Sequence, residues 1–219
     1  MSVINRRYFL VKSALATAGL AAGCTSSRIL GTNESVRIGI IGVGSKGSGH
    51  AEDVLGLSGV RLVALADPDP DYLMGTCRDN LNKGENPINV DIYTDYRRLL
   101  DRKDIDAVII ASCNHWHSLH AIHALQAGKH VYVEKPVSHD VWQGRQLVNL
   151  AQKSGLVVQS GLQHRSRNCW PEVMAYLEED HLGKIICARA LCYKRRKSIG
   201  LLSQPAKPPK GCDCVLGLS

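Results

Sequence analysis

A six-residue apolar strand, Val36–Ile41, runs into Gly42-Val43-Gly44-Ser45-Lys46-Gly47, and a helical stretch follows at once from Lys46 to Leu57. No other feature of the 219 residues restricts the fold so tightly. Glycines spaced two and three apart between a buried strand and a helix mark the first turn of a parallel β-α-β unit. Gly42 permits a tight turn, Gly44 lets another group approach the backbone, and Gly47 lets the helix lie close on the strand. The free N–H groups and positive dipole end of that helix, with Ser45 and Lys46 in its first turn, form a site for an anion.

The next strand, Val60–Ala66, identifies the anion. It ends at Asp67, about 20 residues past the last glycine, where a carboxylate can accept hydrogen bonds from the ribose hydroxyls of an adenosine. A dinucleotide pyrophosphate then belongs on the glycines. The neighbour of Asp67 is Pro68, and no arginine stands there to take a 2′-phosphate. This favours NAD over NADP. The alternative is a glycine-rich turn with a solvent-facing Asp67.

The alternation continues. Helix is expected from Asp71 to about Asn82, a short strand at Val90–Tyr93, and helix at Tyr96–Arg102. Further on come strand Ala107–Ala111, helix His115–Ala127, strand His130–Val133, helix Asp140–Ser154 and strand Leu156–Gln159. Strands alternating with helices predict right-handed crossovers and an α/β class, a Rossmann doubly wound parallel sheet spanning residues 35–161. With a single Phe and 5% aromatics the core must be aliphatic, as suits strands buried on both faces. Past Gly161 the character changes to a helix at Pro171–Asp180, an alternating strand at Lys184–Tyr193, and a basic, Pro-rich run to Lys210. Residues 162–219 therefore read as the incomplete, truncated start of an α+β second domain.

The net charge of +7 is local. Eight basic residues and no acidic ones lie between Gly183 and Gly211, which leaves 19 basic against 20 acidic residues elsewhere. With no interleaved aromatic motif there, a charged face is expected and no nucleic acid partner. The eight cysteines form no Cys-x2-Cys pair, so neither a zinc site nor a disulfide framework is expected. His115, His117, His120 and His123 lack an acidic residue among them and fan out around a helix, so no metal is expected there either. Trp116 reads as a packing or sugar-stacking residue.

Residues 1–34 read as an address. Arg6-Arg7 precede Tyr8-Phe9-Leu10 and a mildly apolar run that ends at Leu20-Ala21-Ala22-Gly23-Cys24. This resembles a twin-arginine export signal with a lipoprotein cleavage box and a lipid anchor at Cys24, placing the protein in the periplasm or membrane-anchored in the cell envelope. An amphipathic N-terminal helix is the other reading. Export of folded protein suits an enzyme that must load a cytoplasmic cofactor before crossing.

The fifth strand runs into Glu134-Lys135-Pro136. Pro136 biases Lys135 to extended backbone, so its amine can project from the carboxyl end of the sheet, with Glu134 as a compensating charge. Alone, this would be a strand-end ion pair. Taken with Gly42-x-Gly44-x-x-Gly47, Ala66-Asp67, Asn114-His115-Trp116-His117, the Ala127–Val133 run and Gln163-His164-Arg165, the chain resembles the Gfo/Idh/MocA oxidoreductases from Val36 to about Lys210. The resemblance implies an NAD-dependent oxidoreductase acting on a sugar or polyol, homo-oligomeric when full length. It implies Lys135 and Glu134 as catalytic, with Lys135 touching the nicotinamide end and the substrate hydroxyl. Glu134 and Lys135, with Ser112, Asn114, His117 and Gln163, would join the cofactor set. Ser112-Cys113 stands where the family has Thr-Pro. The family's general base, a histidine of the second domain, has no counterpart after Lys135, and Gly211–Ser219 does not continue the family pattern. A truncated reading frame is the expectation. Two alternatives stay open: an NAD-dependent glycosidase of the same family, and a catalytically incomplete nucleotide-binding fragment.

Overall fold

Each apolar run becomes a strand because its neighbours can bury it from both sides. The computed structural model describes residues 35–76, 81, 89–191, 193, 195, 198, 200 and 210–212. The chain divides into two units, Met1–Ser35 and Val36–Ser219. The segment read above as an export signal, Cys24 included, lies outside the described residues.

Strands β1 (Val36–Ile41), β2 (Val60–Ala66), β3 (Asp91–Tyr93), β4 (Ala107–Ile110), β5 (His130–Glu134) and β6 (Val158–Gly161) form one sheet in the order β3-β2-β1-β4-β5-β6. Every pairing is parallel. The helices are α1 (Ser45–Leu55), α2 (Pro70–Thr76), α3 (Tyr96–Leu100), α4 (His117–Gln126), α5 (Val141–Ser154) and α6 (Cys169–Glu178), with 3-10 turns at Asn114–Trp116 and Gln163–Ser166. This order is that of a Rossmann doubly wound sheet, the fold class expected from the sequence.

The period-two alternation of the strands splits the core. Ile40 and Leu65 pack with Val54 of α1 and Leu73 of α2 on one face. Ile41 and Ala66 pack with Leu99, Leu125 and Leu147 of α3, α4 and α5 on the other. The chain leaves β1 toward one face and β4 toward the other, which opens a crevice at the carboxyl ends of these neighbours.

Local chemistry fixes the frame. The Arg37 backbone N–H and guanidinium donate to the Asp106 carboxylate at 2.9–3.0 Å, holding it below the usual carboxylate range and tying β1 to the turn before β4. Asp95 and Asp140 cap α3 and α5 by accepting from the N–H groups of Arg97 and Gln143.

Two expectations are corrected. The last strand starts two residues later, because the His130 Nδ1 takes the Val157 N–H and the ladder opens at Val131–Val158. The expected strand at Lys184–Tyr193 does not form: its described residues are exposed and pair with neither edge of the sheet. An alternating pattern specifies a strand only where a neighbour takes up its backbone bonds.

Candidate functional site

The glycine turn is shaped by contacts no side chain could share. Gly42 has φ +86°, and a Cβ there would overlap the Ser112 backbone. A Cβ on Gly47 would overlap the Gly42 carbonyl oxygen. At Gly44 nothing lies within 4 Å, so the backbone faces open space. Gly42, Gly44, Ser45, Lys46, Asp67 and Ser112 line one cavity of about 480 Å³ at the switch point. The cavity is of a size that takes a small ligand, and a cradle open only at Gly44 fits a pyrophosphate.

Asp67, 8% exposed, does more than the sequence reading asked of it. Its Oδ2 accepts from the Val43 N–H (2.8 Å) and its Oδ1 from the Asp69 N–H (2.9 Å). The carboxylate therefore pins the glycine turn to β2, and each oxygen keeps a lone pair for a ribose hydroxyl. Burial pushes its carboxyl up, against the pull of those two N–H groups.

Further along the same carboxyl edge of the sheet, at the end of β5, the Glu-Lys-Pro corner departs from expectation. Glu134, 4% exposed, accepts on Oε1 from Gln163 Nε2 (2.8 Å), pairs there with His50 Nε2 (2.9 Å), and accepts on Oε2 from the Lys135 N–H (3.2 Å). Burial raises its carboxyl, but these bonds outweigh that and hold it below the usual range. Its short contacts are with His50 and Gln163, with Lys46 Nζ at 3.8 Å, and none is with the Lys135 amine. The Lys135 side chain is exposed, with no partner for its amine among the described residues. The Lys135–Pro136 bond is cis.

His117 is also reassigned. Its ring is 1% exposed, with Nδ1 bonded to the Pro136 carbonyl (2.7 Å) and Nε2 to the Ser112 carbonyl (2.9 Å). It braces the β4 loop against the Glu-Lys-Pro turn and has no free edge for a ribose. Asn114 lies exposed in the 3-10 turn. Ser112 Oγ bonds His120 Nδ1 (3.0 Å), and His123 Nδ1 bonds the Tyr96 hydroxyl (2.8 Å). Trp116 stacks on His120 at 5.4 Å. The histidines thus go to separate partners.

His120 makes a testable contribution to stability. Burial, then the neighbouring histidines, lower it from 6.5 to about 3. Below pH 6.5 the unfolded chain takes up a proton that the folded chain refuses, so stability falls as pH falls toward 3. The full slope is about 1.4 kcal/mol per pH unit. Urea unfolding is expected to show about 2 kcal/mol less stability at about pH 5 than at neutrality, and His120→Phe is expected to flatten that difference. An unchanged slope in the variant overturns the assignment.

A parallel sheet in this order, with a glycine cradle and a carboxylate at its switch point, defines a dinucleotide-binding Rossmann domain. The model of the Gfo/Idh/MocA oxidoreductase family, NAD-binding Rossmann fold, matches residues 36–162. The chain belongs to that family. It is 33% identical over 174 residues to a glycosyl hydrolase family 109 protein of Shewanella pealeana, covering 69% of this chain and 38% of that one. It is 32% identical over 177 residues to an alpha-N-acetylgalactosaminidase of Shewanella oneidensis, covering 70% and 38%. Among solved structures it resembles a myo-inositol 2-dehydrogenase from Lactobacillus plantarum, with TM-score 0.62, 28% identity, and coverage of 70% and 44%. The chain spans less than half the length of these relatives.

Proposed function

We propose that this chain binds NAD in preference to NADP, and that the protein it represents oxidises a secondary alcohol of a sugar or polyol. The observation that carries the cofactor choice is the Asp67 carboxylate lining the cavity beside Pro68 and Asp69, where a 2′-phosphate would meet negative charge. NAD, when bound, supplies the hydride acceptor. Lys135, at the end of β5 with its ammonium uncommitted, would place positive charge beside an oxygen becoming alkoxide. Membership of an oxidoreductase family and likeness to an inositol dehydrogenase support the substrate class. Calorimetry should give NAD binding at least about 50-fold tighter than NADP. Equal affinities would sink the cofactor choice.

A second reading is an NAD-dependent glycosidase, favoured by the names of the relatives at 32–33% identity. There the cofactor would be reduced and reoxidised within one turnover. Incubation with NAD separates the two. Accumulating NADH with an inositol supports the dehydrogenase, and release of phenol from an aryl N-acetylgalactosaminide without net NADH supports the glycosidase. Tight NAD binding with neither reaction assigns this chain a nucleotide-binding role alone.

Export by the twin-arginine route, with a lipid on Cys24, rests on Arg6-Arg7 and the Leu20–Cys24 box. A reporter carrying residues 1–34 should leave the cytoplasm, and replacing both arginines by lysine should retain it there.

A further inference from the structure

Helix α1 brings Lys46 and His50, four residues apart, onto one face, above Glu134 at the end of β5. Both side chains reach toward one oxygen. His50 Nε2 lies 2.9 Å from Glu134 Oε1, while Lys46 Nζ stands off at 3.8 Å. Gln163 Nε2 takes the same oxygen at 2.8 Å and the Lys135 N–H takes Oε2. The carboxylate has little freedom to turn: a Cβ on Gly161 would lie 3.2 Å from its Cδ, so β6 backs directly onto it. His50 is buried too, its ring edge-on to Tyr132 at 5.5 Å, with Asp53 of its own helix at 3.9 Å from Nδ1. Lys46, by contrast, is half exposed and lines the cavity with Gly42 and Gly44.

We propose that His50 is a positioning residue: by occupying Glu134 Oε1, it holds Lys46 to a loose 3.8 Å pair with that carboxylate, so that the Lys46 ammonium can turn to the cofactor's diphosphate. This rests on the dinucleotide reading above and assigns two of the chain's own residues within it. If His50 is removed, Oε1 loses one of its two short partners, and the Lys46 ammonium at 3.8 Å can close on it. The cradle then loses a positive charge without losing any residue that lines it.

The test is calorimetric binding of ADP-ribose, which carries the diphosphate without the nicotinamide and so leaves Lys135 out of the comparison. His50→Ala is expected to weaken binding about five- to tenfold and to reduce its dependence on salt, since one fewer free charge is screened. In a Lys46→Met background the same substitution should cost less than about twofold, because the two act through one charge. Adding Glu134→Gln to His50→Ala should restore binding to within about twofold of wild type. His50→Gln, which keeps a donor, should lie near wild type. Equal losses from His50→Ala with and without Lys46, or no recovery with Glu134→Gln, overturn the proposal and leave His50 as packing. If His50→Ala does not melt cooperatively, Glu134→Gln alone decides. Binding at least as tight as wild type supports the proposal, and weaker binding overturns it. Failure of the wild-type protein to bind ADP-ribose would instead overturn the dinucleotide reading, and this proposal with it.

Discussion

Gly47→Ala is expected to abolish cofactor binding and to loosen the first β-α unit in one step. Helix propensity alone predicts the reverse, since alanine is favoured over glycine inside a helix by about 1 kcal/mol. Sterics decide against it. The new methyl would overlap the Gly42 carbonyl oxygen, with the Gly42 carbonyl carbon at 2.8 Å and the Ala111 Cβ at 3.5 Å. Two of these neighbours are backbone, and no rotamer change relieves them. Helix α1 must shift off β1, carrying Gly44, Ser45 and Lys46 out of the cradle. Overpacking of this kind costs about 1–3 kcal/mol or more, which should lower the melting temperature by roughly 4–10 °C in a domain of this size. Displacement of the phosphate cradle should weaken NAD binding by at least about 100-fold, the effect of misplacing a site by an ångström. Gly49→Ala is the control. It sits in the same helix with nothing within 4 Å, so it should stabilise by about 0.5–1 kcal/mol and leave binding unchanged. A Gly47→Ala protein that melts and binds like wild type would show that the close approach of helix and strand is not needed.

The same glycine shows what a sequence can disclose. Gly42, Gly44 and Gly47 were legible because their function is a spacing, and spacing is written along the chain. The sheet was legible for a similar reason: runs such as Val108–Ile110 and Leu62–Ala66 are aliphatic throughout, as only strands covered on both faces need be. Boundaries and lone patterns were less so. The start of β6 depends on a His130 ring nitrogen, 27 residues away in sequence, capturing the Val157 N–H. The strand expected at Lys184–Tyr193 had a pattern but, among the described residues, no pairing partner.

Side-chain surroundings were less legible, because adjacency along the chain is not adjacency in space. Glu134 closes β5 and is buried, whereas Lys135 lies just past the strand with its side chain exposed. The carboxylate that should have balanced Lys135 is buried against His50. His117 lies on the buried side of α4, where its two ring nitrogens meet the carbonyls of two loops. His50 itself could have been found. Gly47, His50, Ala51 and Val54 follow the spacing of a buried helix face, and a histidine on such a face at the end of a phosphate loop requires a polar partner. The identity of that partner, 84 residues away, was not accessible from the pattern.

Asp67→Asn is expected to produce the second large effect, because one carboxylate serves both the protein and the ligand. Within the protein, its two oxygens accept the Val43 and Asp69 N–H groups. Asparagine has one acceptor oxygen, so one of these N–H groups would face an NH₂ and lose its bond, at about 1–3 kcal/mol. Toward the ligand, the ribose hydroxyls lose a charged acceptor, and a 2′-phosphate loses a repulsive neighbour. NAD affinity should fall about 10- to 100-fold, while NADP affinity falls less or rises, so the preference between them should shrink by more than about tenfold. The pH dependence tests the same residue independently. Burial raises the Asp67 carboxyl above its ordinary 3.8. NAD affinity of the wild type should therefore decline with acidification at a pH above 3.8, as the acceptor is protonated. Stability moves in the opposite direction. A carboxyl raised in the folded state contributes stability that is fully present below its unfolded value and lost as pH rises through its folded value. Binding and the Asp67 share of stability should thus slope in opposite senses across that window, and Asp67→Asn should remove both slopes. If the variant keeps the acid-side loss of NAD affinity, another group reads the ribose and the assignment of Asp67 fails.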